Sequence, residues 1–369
     1  MRRVGFVGWR GMVGSVLMDR MKTEGDFRGF EPVFFTTSNV GGKGPDVGLA
    51  TGPLLSAHDV AELSKCDVIV TCQGGDYTTE IHPQLRKSGW KGYWIDAASS
   101  LRMKDDAVII LDPVNRKVID EALAKGVKDY IGGNCTVSLM LMVMAGPIAQ
   151  GWVEWISSMT YQAASGAGAK NMQELVAQMR TIANAAAPVL DDASKTALDL
   201  DRNVAETLKS PAYPTENFGA PLAASLIPWI DKAVDGGRTR EEWKGHAELN
   251  KILGLSPELP VDGLCVRVGA MRSHSQALTV KLKKAVPLDE IEASIRESNP
   301  WAKVVPNTMD ETKKLLSPAA VSGTLDVAIG RMHKMRMGDD FLTAFTVGDQ
   351  LLWGAAEPLR RMLNILLER

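Results

Sequence analysis

Over roughly the first 130 residues, short β-branched runs alternate with helical patterns, and this alternation constrains the fold more than any other feature. Strands that recur with a helix between them are expected to lie parallel, with the helices as crossovers on the faces of a twisted sheet. VGFVGW, PVFFTTS, DVIVTCQG, YWIDAAS and AVIILD are the strand candidates. After the first strand, a helix beginning at Gly11 puts Met12, Val13, Val16, Leu17 and Met21 on one face. The expected class is α/β, with a doubly wound parallel sheet of Rossmann type.

Beyond Cys135 the pattern changes. WISSMTYQAAS, GLCVRVGAM, QALTVKLK and FLTAFTVG read as longer strands, interrupted by helices near 170–186 and 240–253, which predicts an α+β unit with a mixed or antiparallel sheet. At 369 residues the chain is too long for one hydrophobic core, so two domains are expected. Their boundaries read as 1–133 for the first, 134–355 for the second, and 356–369 for a final helix returning to the first. From Asp349 to Leu367, Leu351, Leu352, Leu359, Met362, Leu363 and Leu366 recur as an amphipathic helix would require. The stretch from Pro188 to Pro228 is rich in Pro, Asp, Ser and Ala with weak periodicity, and reads as an irregular excursion over the surface or into a subunit contact.

Composition excludes several classes. With 45% hydrophobic and 23% charged residues and a net charge of −2, the chain has the balance of a globular enzyme and no excess of cations for nucleic acid. No apolar run approaches the roughly 18 residues that span a bilayer, and no export signal is visible, so a cytoplasmic protein with no membrane partner is expected. Cys66, Cys72, Cys135 and Cys265 show neither paired nor Cys/His spacing, so no metal site and no disulfide framework are expected.

Gly8, Gly11 and Gly14 follow the first strand and open the first helix, where a dinucleotide-binding turn belongs. The spacing is GxxGxxG rather than GxGxxG, yet the roles still fit: a tight turn, close approach to a pyrophosphate, and helix packing. An NAD enzyme places an acidic side chain about 20 residues further on to hold the ribose hydroxyls. Here the second strand ends in Thr36, Thr37 and Ser38, with Arg10 available to supply positive charge, so NADP is favoured over NAD.

Gly132, Gly133 and Asn134 precede Cys135, which stands at the end of a strand and the start of a helix from Val137 to Met144. The helix dipole favours a thiolate there, and free backbone N–H groups suit an oxyanion. A lone cysteine at a helix start is nevertheless more often structural than reactive. Of five histidines, His274 stands out, in the turn between two strong strands that also carries Arg267, whereas His58, His82 and His333 lie in polar stretches expected at the surface. His246 follows a charged run and reads as a solvated helix residue.

Together the glycine loop, GGNCTVSLMLM, YQAASGAGAKNM, TREEWKG, VDGLCVRVGAMRSHSQA and FTVGDQLLWGAAEPLRRML resemble the aspartate-semialdehyde dehydrogenase family, in the form found in Gram-negative bacteria. The resemblance covers nearly the whole chain. It implies NADPH-dependent reductive dephosphorylation of aspartyl 4-phosphate to aspartate 4-semialdehyde, on the route to lysine, methionine, threonine and diaminopimelate. It also implies a catalytic and dimerisation role for the second domain, and a homodimer.

Position by position, the resemblance makes Cys135 the thioester-forming nucleophile, His274 the acid/base group that protonates the reduced adduct, and Gln162 the residue orienting the acyl group. Arg267 would take the substrate carboxylate, Glu241 its ammonium, and Arg102, Lys244 and Asn134 the phosphate. For NADP it implies Arg10, Gly11, Met12 and Val13 within the Gly8–Gly14 loop, Thr37, Ser38, Gln73, Ser165, Gly166 and Gln350. The segment around Ala193 departs from the family pattern, which expects a proline contact to the cofactor there. Two other readings stay open: an N-acetyl-glutamyl-phosphate reductase-like enzyme, whose acetylated amine would leave Glu241 without a partner, and an NADP-sensing protein whose dehydrogenase site has decayed.

Overall fold

The computed structural model describes residues 1–368. Its first sheet is wholly parallel and holds β1 (Arg3–Val7), β2 (Glu31–Thr36), β3 (Leu55–Ser56), β4 (Val68–Thr71), β5 (Tyr93–Asp96), β6 (Ala107–Ile110) and β7 (Asp129–Gly132), in the order β3-β2-β1-β4-β5-β7-β6. Strand order reverses between β1 and β4, and in such sheets ligands bind in the crevice beyond the carboxyl ends at that reversal. The Rossmann-type expectation is met, with β3 added as an edge strand too short to register in the sequence.

The second sheet is mixed, as its patterning implied. It contains β8 (Val153–Gln162), β9 (Leu226–Ile227), β10 (Val261–Val268), β11 (Ser273–Leu282), β12 (Ala302–Val304), β13 (Val327–Met335) and β14 (Gly338–Asp349), ordered β12-β13-β14-β11-β8-β10-β9. β8 and β10 run parallel with Gln162 opposite Arg267, while β11 runs antiparallel to β8 and starts where β8 ends. The ends of three strands therefore meet at one edge, and it carries Gln162, Arg267 and His274.

Between the sheets runs the Cys135–Ala149 helix, apolar on every face and buried at each position from Thr136 to Met144. A helix hydrophobic all round belongs inside a protein, and its side chains form the centre of the largest core cluster, against β8, β11, β13, β14 and the Leu288–Ser298 helix. Its first residue follows β7 almost directly, so Cys135 and the glycine loop after β1 both emerge from the carboxyl edge of the first sheet.

Two expectations change in detail. The excursion from Pro188 is not irregular throughout: one helix continues to Leu190, and a second, Ala197–Lys209, starts at a Thr196/Asp199 capping box. No residue of that second helix is buried, and Leu198 is among the exposed hydrophobics, which is why its periodicity reads weakly as a core pattern. The C-terminal helix does not begin at Asp349 either. A π-helical turn, Leu352–Ala356, precedes the regular Glu357–Leu367 helix.

That last helix packs Leu359, Met362, Leu363 and Leu366 into the core of the first sheet beside Phe6, Val70 and Ile95. It is pinned by a buried charge cluster in which Arg360 donates to Glu357 and to Asp26, and Arg20 donates to Glu357 from the other side. Glu357 is completely buried, so removing a partner strands its charge. Arg360→Ala is expected to cost about 3 kcal/mol, at the low end for a broken buried pair because Arg20 remains. Denaturant unfolding measures this, and a loss below about 1 kcal/mol, the value of a surface pair, would contradict it.

Candidate active site

Cys135 is the first residue of its helix, and Asn134 caps that helix by accepting from the N–H groups of Thr136 and Val137 at 3.0 and 3.2 Å. Cys135 Sγ lies 3.2 Å from His274 Nε2. The other ring nitrogen, His274 Nδ1, accepts the Ala163 N–H at 2.9 Å. A neutral ring accepting at Nδ1 carries its proton on Nε2, so His274 presents an N–H toward the sulfur. The two motifs that the sequence placed 139 positions apart form one pair.

The electrostatics differ from the thiolate that the helix dipole suggests. Burial, reinforced by Glu241, pushes the Cys135 thiol up to about 12. Burial and then Arg267 push His274 down to about 3. A dipole contributes at most about 2 kcal/mol, or roughly 1.5 pKa units, so it cannot offset burial of that size. The resting pair is a neutral thiol beside a neutral imidazole.

Cys135 lines a cavity of about 560 Å³, together with Met12, Val13, Arg102, Gln162, Ser165 and Gln350 among others. Arg267, 6% exposed, also lines it and gives one N–H to the Ala163 carbonyl at 2.7 Å. Among the described residues no carboxylate comes within ion-pair distance of Arg267. A buried guanidinium without a counter-ion is costly unless a ligand supplies an anion.

Glu241 and Lys244 are not the exposed helix pair that their sequence setting allows. Both face inward from the Arg240–Leu253 helix, which a Thr239/Glu242 capping box starts. Glu241 accepts from Lys244 at 2.9 Å, Asn134 Nδ2 at 2.8 Å and Gln162 Nε2 at 3.2 Å. Burial would raise its pKa, but Lys244 and these amides hold it below the ordinary carboxylate value. Lys244 also donates to Asp231 at 2.8 Å, and against burial the two carboxylates keep its pKa above normal. Arg102 donates to the Gly132 carbonyl at 2.6 Å and to Glu248 at 3.1 Å. Asn134 has its oxygen committed to the helix cap and its amide nitrogen to Glu241, so it braces the site from both ends.

The residues expected to bind the nucleotide, apart from Gly14 and Ser38, divide between two cavities that share the glycine loop. Gly8, Arg10, Gly11, Thr37 and Gln73 line one of about 300 Å³, whereas Met12, Val13, Ser165, Gly166 and Gln350 line the reaction cavity. Gly8 has φ +73, and a Cβ on it would lie 2.5 Å from the Cys72 backbone; one on Gly14 would lie 2.1 Å from the Gly8 carbonyl. Arg10 donates to Ser38 and also to Thr36, both at 3.0 Å, two of the three hydroxyls at the end of the second strand. Gln350 donates to Ser165 at 2.9 Å, which joins the end of β14 to the turn after β8. Ala193 is exposed and is not among the residues lining either cavity.

Three neighbours escaped sequence reasoning. Asp231 and Glu248 hold the two cations, but each looks like an ordinary surface acid in one dimension. Gly354 sits in the π-helical turn, where a Cβ would come 2.7 Å from Cys135 Cβ; only its place in LLWGAAEP could have flagged it. His82, expected at the surface, is buried against Asp129 at 3.0 Å, far from this site in the first sheet's framework.

A parallel nucleotide-binding sheet joined to a buried thiol–imidazole pair and an anion-seeking arginine defines a nicotinamide-dependent aldehyde dehydrogenase. Residues 3–122 match the semialdehyde dehydrogenase NAD-binding domain family, and residues 146–353 match the semialdehyde dehydrogenase dimerisation domain family. The structure of aspartate semialdehyde dehydrogenase from Francisella tularensis is 48% identical, with 99% of this chain and 100% of that one covered and a TM-score of 0.94. Aspartate semialdehyde dehydrogenase II from Vibrio cholerae, complexed with ASA, has the same fold at 21% identity and a TM-score of 0.82, covering 100% and 98%. The Candida albicans enzyme with NADP shares it at 15% identity and 0.64, covering 99% and 98%. The chain belongs to the aspartate-semialdehyde dehydrogenase family.

The raised thiol pKa has a direct consequence. With the pKa above that of a free cysteine, alkylation of Cys135 by iodoacetamide without substrate should keep accelerating above pH ~9, past the ~8.5 of a free thiol. A rate that levels off below pH 8 would show a thiolate at rest. Gly354→Ala should lower turnover by roughly 100-fold or more by displacing the sulfur, with the unfolding midpoint little changed.

Proposed function

We propose that the protein reduces L-aspartyl 4-phosphate to L-aspartate 4-semialdehyde with NADPH, through a thioester on Cys135. The observation that carries this reading is Arg267, a buried guanidinium paired with no carboxylate among the described residues, opening into the cavity lined by Cys135, whose sulfur meets His274 at 3.2 Å. Its free N–H groups suit the bidentate recognition of an α-carboxylate. Glu241 lines the same cavity as the acidic group for an α-ammonium, and Arg102 and Lys244 supply two cations for a phosphate. An N-acetylated substrate would bring no charge to Glu241, which favours the free amino acid.

Cys135 Sγ attacks the acyl carbon, the C–O bond to phosphate breaks, and the thiol proton leaves with it as hydrogen phosphate. Arg102 and Lys244 take the charge of the departing group. NADPH supplies the hydride that reduces the thioester. The His274 Nε2–H, fixed in that tautomer by the Ala163 amide, donates to the oxyanion formed at the carbonyl carbon. As that oxyanion collapses to the aldehyde, the same N–H hydrogen-bonds the expelled thiolate, which takes from solvent the proton that restores the thiol. Gln162, held by Thr160 and Glu241, fixes the carboxylate against which the substrate amine is placed.

The cofactor fits the loop on steric grounds, since Gly8 and Gly14 leave no room for side chains where the backbone must approach a pyrophosphate. For the choice of NADP, Arg10 reaches the end of β2, and the Ser38 hydroxyl that accepts from it keeps its own hydrogen for a phosphate oxygen. A homodimer suits the exposed apolar face of Met159, Tyr161 and Leu264 on β8 and β10, where Met159 and Leu264 are paired neighbours.

Phosphate-dependent reduction of NADP by aspartate semialdehyde tests the reading. Wild-type protein should require phosphate and prefer NADP to NAD, and Cys135→Ala should be inactive; activity surviving in that variant would sink the thioester route. Arg267→Lys replaces a fork with a point charge and loses about 1.5–3 kcal/mol of charge-assisted hydrogen bonding, so the semialdehyde KM should rise roughly 10- to 150-fold.

A further inference from the structure

Two cations hold the phosphate in the reading above, and each already bonds to a carboxylate of the protein, but the two carboxylates differ in kind. Glu248, 2% exposed on the Arg240–Leu253 helix, takes both Arg102 and the Asn134 N–H at 2.7 Å. It is built into the wall. Asp231 lies on the loop before that helix, with its side chain 27% exposed and its backbone at φ +72, in the left-handed region that few residues other than glycine adopt. Its Oδ2 meets Lys244 and its Oδ1 takes the neighbouring Lys232 N–H.

Lys244 does not need Asp231 to be held in place. Glu241 lies one turn away on the same helix at 2.9 Å, is 7% exposed, and is itself fixed by Asn134 and Gln162. Asp231 is therefore a second carboxylate on an ammonium that is already paired, and it lines the same cavity as Cys135, Arg102 and Lys244. A phosphate oxygen seeking Lys244 meets this like charge directly.

We propose that Asp231 is a resident anion of the phosphate subsite: its carboxylate occupies a Lys244 donor position that a phosphate oxygen must take, and yields it by moving with its loop. Its effect is on specificity and release. A dianion with strong affinity for two cations displaces it, whereas weaker monoanions do not, and its return helps expel hydrogen phosphate. This inference rests on the assignment of Arg102 and Lys244 to phosphate, and it predicts a sign opposite to that of a residue that merely positions Lys244.

The test measures phosphate KM, semialdehyde KM and NADP KM for wild type, Asp231→Asn, Asp231→Glu and Lys244→Ala. Asparagine tolerates the left-handed backbone, so Asp231→Asn removes the charge with the least disturbance of the loop. Its phosphate KM should fall roughly fivefold or more with the other two constants unchanged, hydrogen phosphate should inhibit the biosynthetic direction more strongly, and Asp231→Glu should restore part of the wild-type value. An unchanged or raised phosphate KM in Asp231→Asn, beside a raised value in Lys244→Ala, overturns the inference and leaves the phosphate assignment standing. Phosphate-independent wild-type turnover, or a Lys244→Ala KM equal to wild type, overturns the assignment itself.

Discussion

The buried carboxylates of Glu241 and Glu248 fasten the reaction cavity together. They sit seven positions apart on one face of the Arg240–Leu253 helix, and both bond to Asn134 while each also reaches a different part of the molecule. Glu248 holds Arg102 and the amide of Asn134, which belong to the turns after β5 and β7 of the parallel sheet. Glu241 holds Gln162, at the end of β8 in the mixed sheet. Since buried carboxylates must be paired, these bonds set the separation between the two sheet edges. The Cys135–His274 distance depends on that separation, because the sulfur comes from the first edge and the ring from the second.

The same burial sets the chemistry. Excluding water raises the thiol and depresses the imidazole, so the pair rests uncharged although it stands at a helix N-terminus. It also strengthens every charge in the cavity, which holds Arg102, Lys244 and Arg267 against Glu241 and Asp231. Of these three cations, Arg267 is the one with no carboxylate at ion-pair distance among the described residues. The Ala163 backbone ties both functions together, its N–H fixing the His274 tautomer and its carbonyl aiming Arg267.

Much of this was legible in one dimension where the signal is local. Short β-branched runs alternating with helices implied the parallel sheet, the GGNC turn placed a cysteine at a helix start, and the strand end at Thr36–Ser38 lacked an acid. Other features had no local signature. The Ala197–Lys209 helix has no fully buried residue, β3 and β9 are two residues each, and the π-helical turn bearing Gly354 matters only because of what it touches. His82 was misplaced for the same reason, since its partner Asp129 is 47 positions away.

By itself, then, the sequence determined the two sheet types, the nucleotide loop and the residues able to do the chemistry, because backbone periodicity, glycine sterics and side-chain functional groups are properties of short segments. Only the tertiary structure decided which of those residues meet, that the thiol rests protonated, and that Asp231 and Glu248 pair with Lys244 and Arg102. Desolvation and charge pairing arise from packing between segments far apart in the chain, and no local pattern encodes them.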